Sequence, residues 1–217
     1  MRKDEFYYHA IRTTQDKAVT ILDSILKDGI KSVESGHLES NELGRMNFSD
    51  EICICKESNQ SGINFIKNLY IRNSALDDFI YSGMLILRLD GNIKGVYKPE
   101  VLSSSTAYKR ALAGERGFTE YHDEYRTKED IDASCINGIL FPAKLLLSSP
   151  VIYMYSTTGT YDRYNPIRKP ERVIGTVCCF EAIQEVLKKN NRTIPIYDST
   201  SKEIITSVDD FVKKHKR

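Results

Sequence analysis

The side chains in this sequence that could carry out chemistry stand singly and do not form a metal-binding or nucleotide-binding motif. His9 lies in the aromatic segment YYHAI, and Glu124 lies in the segment HDEYRTKEDI in the second half of the chain. The sequence contains neither the GxGxxG dinucleotide-binding pattern nor the GxxxxGK[ST] phosphate loop. On their own, a strand histidine is usually structural and a lone glutamate is usually a solvated acid. Together, an imidazole and a carboxylate could orient a substrate and stabilise positive charge on it.

The cysteines indicate a reduced protein. The sequence has five of them, at Cys53, Cys55, Cys135, Cys178 and Cys179. An odd number at irregular spacing fits neither a disulfide framework nor a paired CxxC zinc site. We therefore expect free, mostly buried thiols and an intracellular protein. Cys178 and Cys179 fall on the apolar face of a predicted helix with no histidine nearby to activate them, so we expect them in the core.

The segment that contains His9 is predicted to be a strand that leads into a helix. Residues 5–11 are aromatic and β-prone, which favours an opening strand. The apolar residues after it recur at helical spacing, and they predict a helix that Thr13 or Thr14 caps and Gly29 ends. Its apolar face consists of Ala18, Ile21, Leu22, Ile25 and Leu26.

Strands predominate in the rest of the chain, and Glu124 falls in one of them. The predicted strands are residues 51–56, 84–90, 96–98, the centre of 120–131, 136–142, 151–156 and 194–198. Helices are predicted within 58–82, at 172–189 and from Ser207 onward. Residues 32–49 and 101–119 are predicted to be loops. Because strands and helices do not alternate regularly, we predict an α+β domain rather than a doubly wound parallel sheet.

Composition places the chain among ordinary globular proteins. Its 217 residues are 41% hydrophobic and 28% charged, with a formal net charge of +1. Such a balance does not attract nucleic acid or anionic lipid strongly, and no apolar stretch reaches the roughly 18 residues of a membrane span. The N-terminus lacks a secretory signal. We expect a cytoplasmic protein, with export to a host cell by a signal-independent route left open, and we read the basic tail Lys213–Arg217 as solvated.

Three segments in order resemble the ADP-ribosyltransferase superfamily, in its histidine-first branch of diphtheria-type toxins and poly(ADP-ribose) polymerases. They are YYHAI (7–11) with its helix, SDEICICKES (49–58) with the strand MLILRLDG (84–91), and HDEYRTKEDI (122–131) with INGILFP (136–142). The resemblance covers roughly residues 5–142. It implies a split antiparallel β-sandwich with flanking helices. The domain would span 1–160, and residues 161–217 would be a helical or hairpin extension packed on it.

The resemblance also implies roles for individual residues. His9 and the neighbouring Ala10 would contact the NAD+ ribose, although Ala10 and Ile11 depart from the family pattern after the histidine. Ser58 would sit at the rim of the nicotinamide pocket. Tyr70 would stack on the nicotinamide ring, with Tyr81 as the alternative. Glu124 would be the catalytic glutamate, with Glu120 as the alternative.

The implied reaction needs few groups. Loss of nicotinamide from NAD+ leaves an oxocarbenium-like ribose, as in glycoside hydrolysis. A carboxylate that accepts a hydrogen bond from the ribose 2′-hydroxyl stabilises that cation, by about 3 kcal/mol judged from comparable single groups. Nicotinamide is already a cationic leaving group, so we expect NAD+ as a substrate and no metal.

The sequence leaves three functions open. The leading one is a mono-ADP-ribosyltransferase of the toxin or effector type, which acts on a protein or nucleic acid, with no membrane partner. An RNA 2′-phosphotransferase would need an arginine and histidine cluster around a phosphate; Arg12 and Arg126 are the available arginines. A catalytically inactive binding module is the third. The oligomeric state is open.

Overall fold

The computed structural model describes residues 5–11, 15–32, 51–57, 85–115, 117–119, 122, 124–141, 143, 171–199 and 201–215. These residues form an α+β arrangement, as the order of predicted elements indicated. Its elements are β1 (Phe6–Ile11), α1 (Gln15–Asp28), β2 (Ile52–Lys56), β3 (Leu85–Asp90), β4 (Glu100–Val101), α2 (Ser104–Leu112), β5 (Phe118–Thr119), β6 (Glu124–Thr127), β7 (Ile136–Phe141), α3 (Glu171–Lys189), β8 (Ile196–Asp198) and α4 (Val208–His215).

Six of the strands form one mixed sheet, in the order β6-β2-β1-β3-β7-β8. Neighbouring strands are antiparallel except for β7 and β8, which run parallel, and β4 and β5 form a separate parallel pair. Within the described residues the main sheet is therefore mixed rather than purely antiparallel. β8 follows β7 through the long helix α3, and a crossover of this length allows a strand to return in the parallel sense. The segment 161–217 thus contributes β8 to the main sheet.

One face of the sheet packs against the helices and forms the main core. From β1 to β8 it presents alternate residues such as Tyr7, Leu87 and Ile139, all buried. Leu22 and Leu26 of α1 are buried against this face, which confirms the periodicity seen in the sequence. The other helical residues of the core include Ile25, Phe180, Val186, Leu187, Val208 and Phe211.

Gly29 ends α1, as predicted, and the packing explains why glycine is required. Its φ is +77°, a left-handed conformation that other residues adopt at a cost. A Cβ at this position would lie 2.2 Å from the carbonyl oxygen of Ile131. Ile30 then pairs with Ile131, so the end of the helix is held against the strand region beyond β6.

The region 96–119 differs from its prediction. Tyr97 forms an isolated bridge with Arg126 rather than a strand over 96–98. Residues 104–112, expected in a loop, form α2, and the Ser103 carbonyl accepts the first helical hydrogen bond from the Ala107 amide. Ala107 is buried against Phe118 of β5, and this apolar contact anchors the helix. The predicted elements within 58–82 and at 151–156, and the loop over 33–49, lie outside the described residues.

Candidate functional site

Glu124 begins β6 and is held by two hydrogen bonds. Its Oε1 accepts from the Nε of Arg126 at 2.6 Å, and its Oε2 accepts from the hydroxyl of Thr119 at 2.7 Å. Residues two apart on a strand share a face, so β6 itself places the guanidinium beside the carboxylate. Only 15% of the Glu124 side chain is exposed. The carboxylate is therefore fixed in orientation and partly shielded from water.

A second carboxylate, that of Glu51, lies on the other side of Arg126. The Oε2 of Glu51 is 3.5 Å from Nη1 of Arg126, and the Glu51 side chain is only 5% exposed. The hydroxyl of Tyr97 is 2.7 and 2.8 Å from the two Glu51 oxygens. Burial, followed by this hydrogen bond, raises the pKa of Tyr97 to about 12. The tyrosine therefore remains a donor to Glu51 at neutral pH.

Arg126 connects the two carboxylates. Its Nη2 also donates to the carbonyl of Phe118 at 2.9 Å, and its side chain is 9% exposed. Burial by itself would lower the pKa of Arg126, but the charge and hydrogen bond of Glu124 outweigh it and raise that pKa. With both glutamates ionised, two carboxylates and one guanidinium leave one excess negative charge. We call Glu51, Tyr97, Thr119, Glu124 and Arg126 the acidic cluster.

His9 lies on β1, with its ring bonded to the neighbouring strand. Its Nδ1 is 2.9 Å from the carbonyl oxygen of Cys53 on β2. A carbonyl can only accept, so Nδ1 carries the proton and Nε2 of the neutral ring is an acceptor. Burial lowers the pKa of His9, more than the hydrogen bond to Cys53 raises it. The ring is therefore neutral at pH 7 and can accept a hydrogen bond from a hydroxyl group.

The sheet places His9 and Glu124 close together in strand order but not side by side. Their strands, β1 and β6, flank β2, so the backbones are about 10 Å apart at the usual strand spacing. Cys55 pairs with Tyr8 on one side and with Glu124 on the other, so Glu124 shares the face of Tyr8. His9, the next residue along β1, begins on the opposite face. The two side chains therefore do not contact each other. The His9 ring is hydrogen-bonded to the carbonyl of Cys53, whereas Glu124 is hydrogen-bonded to Arg126 and Thr119.

The ladder between β1 and β2 ends beside His9. Within these strands, β1 pairs with β2 at Tyr7–Lys56 and Tyr8–Cys55, whereas it pairs with β3 along all six residues. Continued register would set Ala10 opposite Cys53, yet the Cys53 carbonyl is bonded by the His9 ring. The ring thus turns from its strand toward β2.

Other predicted site residues contribute less or cannot be placed. Ala10 is on β1 opposite Ile86 and offers only a methyl group. Ser58, Tyr70, Tyr81 and Glu120 lie outside the described residues. Sequence reasoning missed Glu51, Tyr97 and Thr119. The period of two along β6 was the available signal for Arg126, whereas no local pattern links Glu51 to Tyr97, which is 46 residues away.

Cys53 is exposed, and Cys55 and Cys135 are buried. Within the described ranges, no group of His, Cys, Asp and Glu side chains is arranged to hold a metal ion. The helices in those ranges are too short or too polar to cross a membrane. Comparison of the chain with protein-family models, with curated proteins and with solved structures finds no match in any of the three.

Proposed function

We propose that this chain is an NAD+-dependent mono-ADP-ribosyltransferase of the toxin or effector type, with the ADP-ribosyltransferase fold. The observation that carries the proposal is the acidic cluster: a largely buried Glu124 carboxylate, fixed by Arg126 and Thr119, in a group of described residues that sets two carboxylates against one guanidinium. Such a site is complementary to a cation that forms during the reaction and not to the neutral product. The order of motifs around His9 and Glu124 supports the same class.

In the proposed reaction the bond between ribose C1′ and the nicotinamide nitrogen breaks, and the bonding electrons leave with nicotinamide. The ribose becomes an oxocarbenium-like cation. One oxygen of Glu124 accepts the ribose 2′-hydroxyl hydrogen and faces this charge. An oxygen or nitrogen of the acceptor then bonds to C1′ and releases its proton. Arg126 keeps the carboxylate in place and takes no part in the bond changes.

His9 has a binding role in this proposal. Its neutral ring offers Nε2 as an acceptor for a ribose hydroxyl, because Nδ1 is held by the carbonyl of Cys53. Since His9 and Glu124 begin on opposite faces, the dinucleotide must reach them where β1 and β2 separate. His9→Ala is therefore expected to raise KM for NAD+ more than it lowers kcat.

The acceptor surface is proposed to include α2. Tyr108 and Leu112 lie one helical turn apart on α2 and are 62% and 72% exposed. β5 follows this helix and carries Thr119, which bonds Glu124. Two exposed apolar side chains on the helix that precedes β5 suit a macromolecular acceptor better than water.

The contacts of Arg126 remove one of the two arginines that the RNA 2′-phosphotransferase alternative relied on. Its guanidinium already pairs with Glu124, Glu51 and the Phe118 carbonyl, so it is not free for a phosphate.

The test of the proposed function is transfer of label from NAD+ labelled in its adenylate to proteins and nucleic acids of a cell extract. We expect one labelled class of acceptor with the wild-type protein and none with Glu124→Gln. Equal labelling by both proteins contradicts the proposal.

A further inference from the structure

Lys202 combines two unfavourable features that the acidic cluster does not explain. Its φ is +62°, in the left-handed region that a lysine seldom occupies. Its ammonium nitrogen is shielded from solvent and has no hydrogen-bond partner among the described residues. A buried ammonium that makes no hydrogen bond is strongly unfavourable, and backbone strain is often retained at functional positions. The pair of features at one residue indicates a role in binding.

The surroundings of Lys202 contain a second cation and aromatic rings. The Lys202 ammonium lies 4.5 Å from the ring centre of Tyr8, in cation–π contact. The guanidinium of Arg88 stacks on the ring of Phe6 at 3.5 Å and lies 5.3 Å from the ring of Tyr197. These rings hold the guanidinium in one plane. We call Tyr8, Glu57, Arg88 and Lys202 the basic cluster.

Two carboxylates, those of Glu57 and Asp198, lie near the two cations. The Oε2 of Glu57 accepts from Arg88 through Nε at 3.0 Å and is 2.9 Å from Nη2, while its Oε1 accepts from the Tyr8 hydroxyl. Both oxygens of Glu57 are therefore engaged, and Lys202 interacts with the two carboxylates by charge without a hydrogen bond to either among the described residues. The side chains of Arg88 and Glu57 are 18% and 22% exposed, so the cluster reaches solvent.

Hydrogen bonds of Asp198 hold the backbone on either side of Lys202. The carboxylate of Asp198 accepts from the amide and hydroxyl of Ser201 at 2.7 and 3.0 Å. The Asp198 carbonyl accepts from the Lys202 amide at 3.0 Å, and the Asp198 amide donates to the Glu203 carbonyl at 2.7 Å. The loop thus fixes the Lys202 backbone, while the flexible four-carbon stem leaves the ammonium able to turn toward an anion.

The basic and acidic clusters lie on the same face of the sheet. Cross-strand pairing runs directly from Glu124 through Cys55 and Tyr8 to Arg88. Paired residues share a face, and three strand spacings separate the two ends by roughly 14 Å. Gly138 continues this row on β7, and the Tyr197 ring occupies the space that a side chain there would fill.

We propose that Lys202 and Arg88 form a phosphate-binding site on the face of the sheet that carries Glu124. A phosphate would replace the Tyr8 ring as the partner of the ammonium and would take the guanidinium hydrogens that Glu57 leaves unused. If the proposed function holds, the pyrophosphate of NAD+ is the expected occupant. The phosphate of a nucleic-acid acceptor, or free phosphate, has the same chemistry.

The test is calorimetric titration of the full chain with inorganic pyrophosphate, with ADP-ribose and with a short single-stranded oligonucleotide. We expect Lys202→Met to weaken pyrophosphate binding on the order of tenfold, since a charge-assisted hydrogen bond is lost. Lys202→Arg should restore most of the affinity. Lys188→Met, at an exposed lysine of α3, is the matched control and should bind as the wild type does.

The three probes separate the sources of the phosphate. A parallel loss for ADP-ribose identifies the dinucleotide, and a loss for the oligonucleotide alone identifies a nucleic acid. A loss for pyrophosphate in a protein that releases no nicotinamide from NAD+ supports the site and refutes the proposed function. Backbone amide NMR of the wild type needs no variant: pyrophosphate should shift the signals of Lys202 and Arg88. Unchanged signals, or unchanged affinity in Lys202→Met, overturn the proposal.

Discussion

Replacing Arg126 by methionine is expected to destabilise the protein strongly. The guanidinium makes hydrogen bonds to Glu124 and to the Phe118 carbonyl and is paired with Glu51, and its side chain is 9% exposed. Its loss leaves two half-buried carboxylates near each other without a cation. Breaking such a buried pair from one side costs about 3–5 kcal/mol of unfolding free energy. For a chain of this size the melting temperature should fall by roughly 6–20 °C.

The assay is thermal and urea unfolding followed by circular dichroism, with Arg110→Met as the control. Arg110 also bonds two glutamates, Glu100 and Glu115, but at an exposed position where ion pairs contribute little. The double variant Glu51→Gln/Arg126→Met should recover part of the loss, because one unpaired charge is removed. If Arg126→Met melts with the wild type, or no earlier than Arg110→Met, the reasoning about the acidic cluster is refuted.

Two further predictions each concern a single residue, His9 or Gly29. Burial lowers the pKa of His9, so His9 takes up a proton more readily in the unfolded chain than in the folded one. The contribution of His9 to stability should therefore be lost as pH falls from the ordinary pKa of 6.5 through the lowered pKa. An NMR titration of the ring with a midpoint at or above 6.5 contradicts this prediction. Gly29→Ala should be more destabilising than Gly114→Ala, by on the order of 1–3 kcal/mol in urea unfolding. Both glycines have positive φ, near 77° and 79°, but only at Gly29 would a Cβ meet backbone atoms, so equal losses would disprove the steric explanation.

Much of the fold could be predicted because its signals are local. The periodicity of α1, the aromatic strand around His9 and the apolar runs of β3 and β7 all depend on burial of one face, which the sequence records directly. The helix α2 was missed because serines favour loops as well as helix starts. Its anchoring contact, between Ala107 and Phe118, is not visible in a local window.

The site could be predicted only in part, because some of its contacts join residues far apart in the sequence. Glu124 was predicted from its place in a motif, and Arg126 lies two residues from it on the same strand. Glu51 belongs to the acidic cluster only because Tyr97 and Arg126 contact it, and such contacts between distant parts of the chain depend on the sheet order. The opposite starting faces of His9 and Glu124 depend on register, which a one-residue shift reverses.

The rate of nicotinamide release from NAD+ measures cleavage of the nicotinamide–ribose bond without any acceptor. We expect measurable release by the wild type, a fall of about 10²–10³-fold in kcat for Glu124→Gln, and no change for Glu185→Gln at an exposed glutamate of α3. Release that is equally fast in Glu124→Gln, or no release by the folded wild type, would contradict the claim that the Glu124 carboxylate drives cleavage of NAD+.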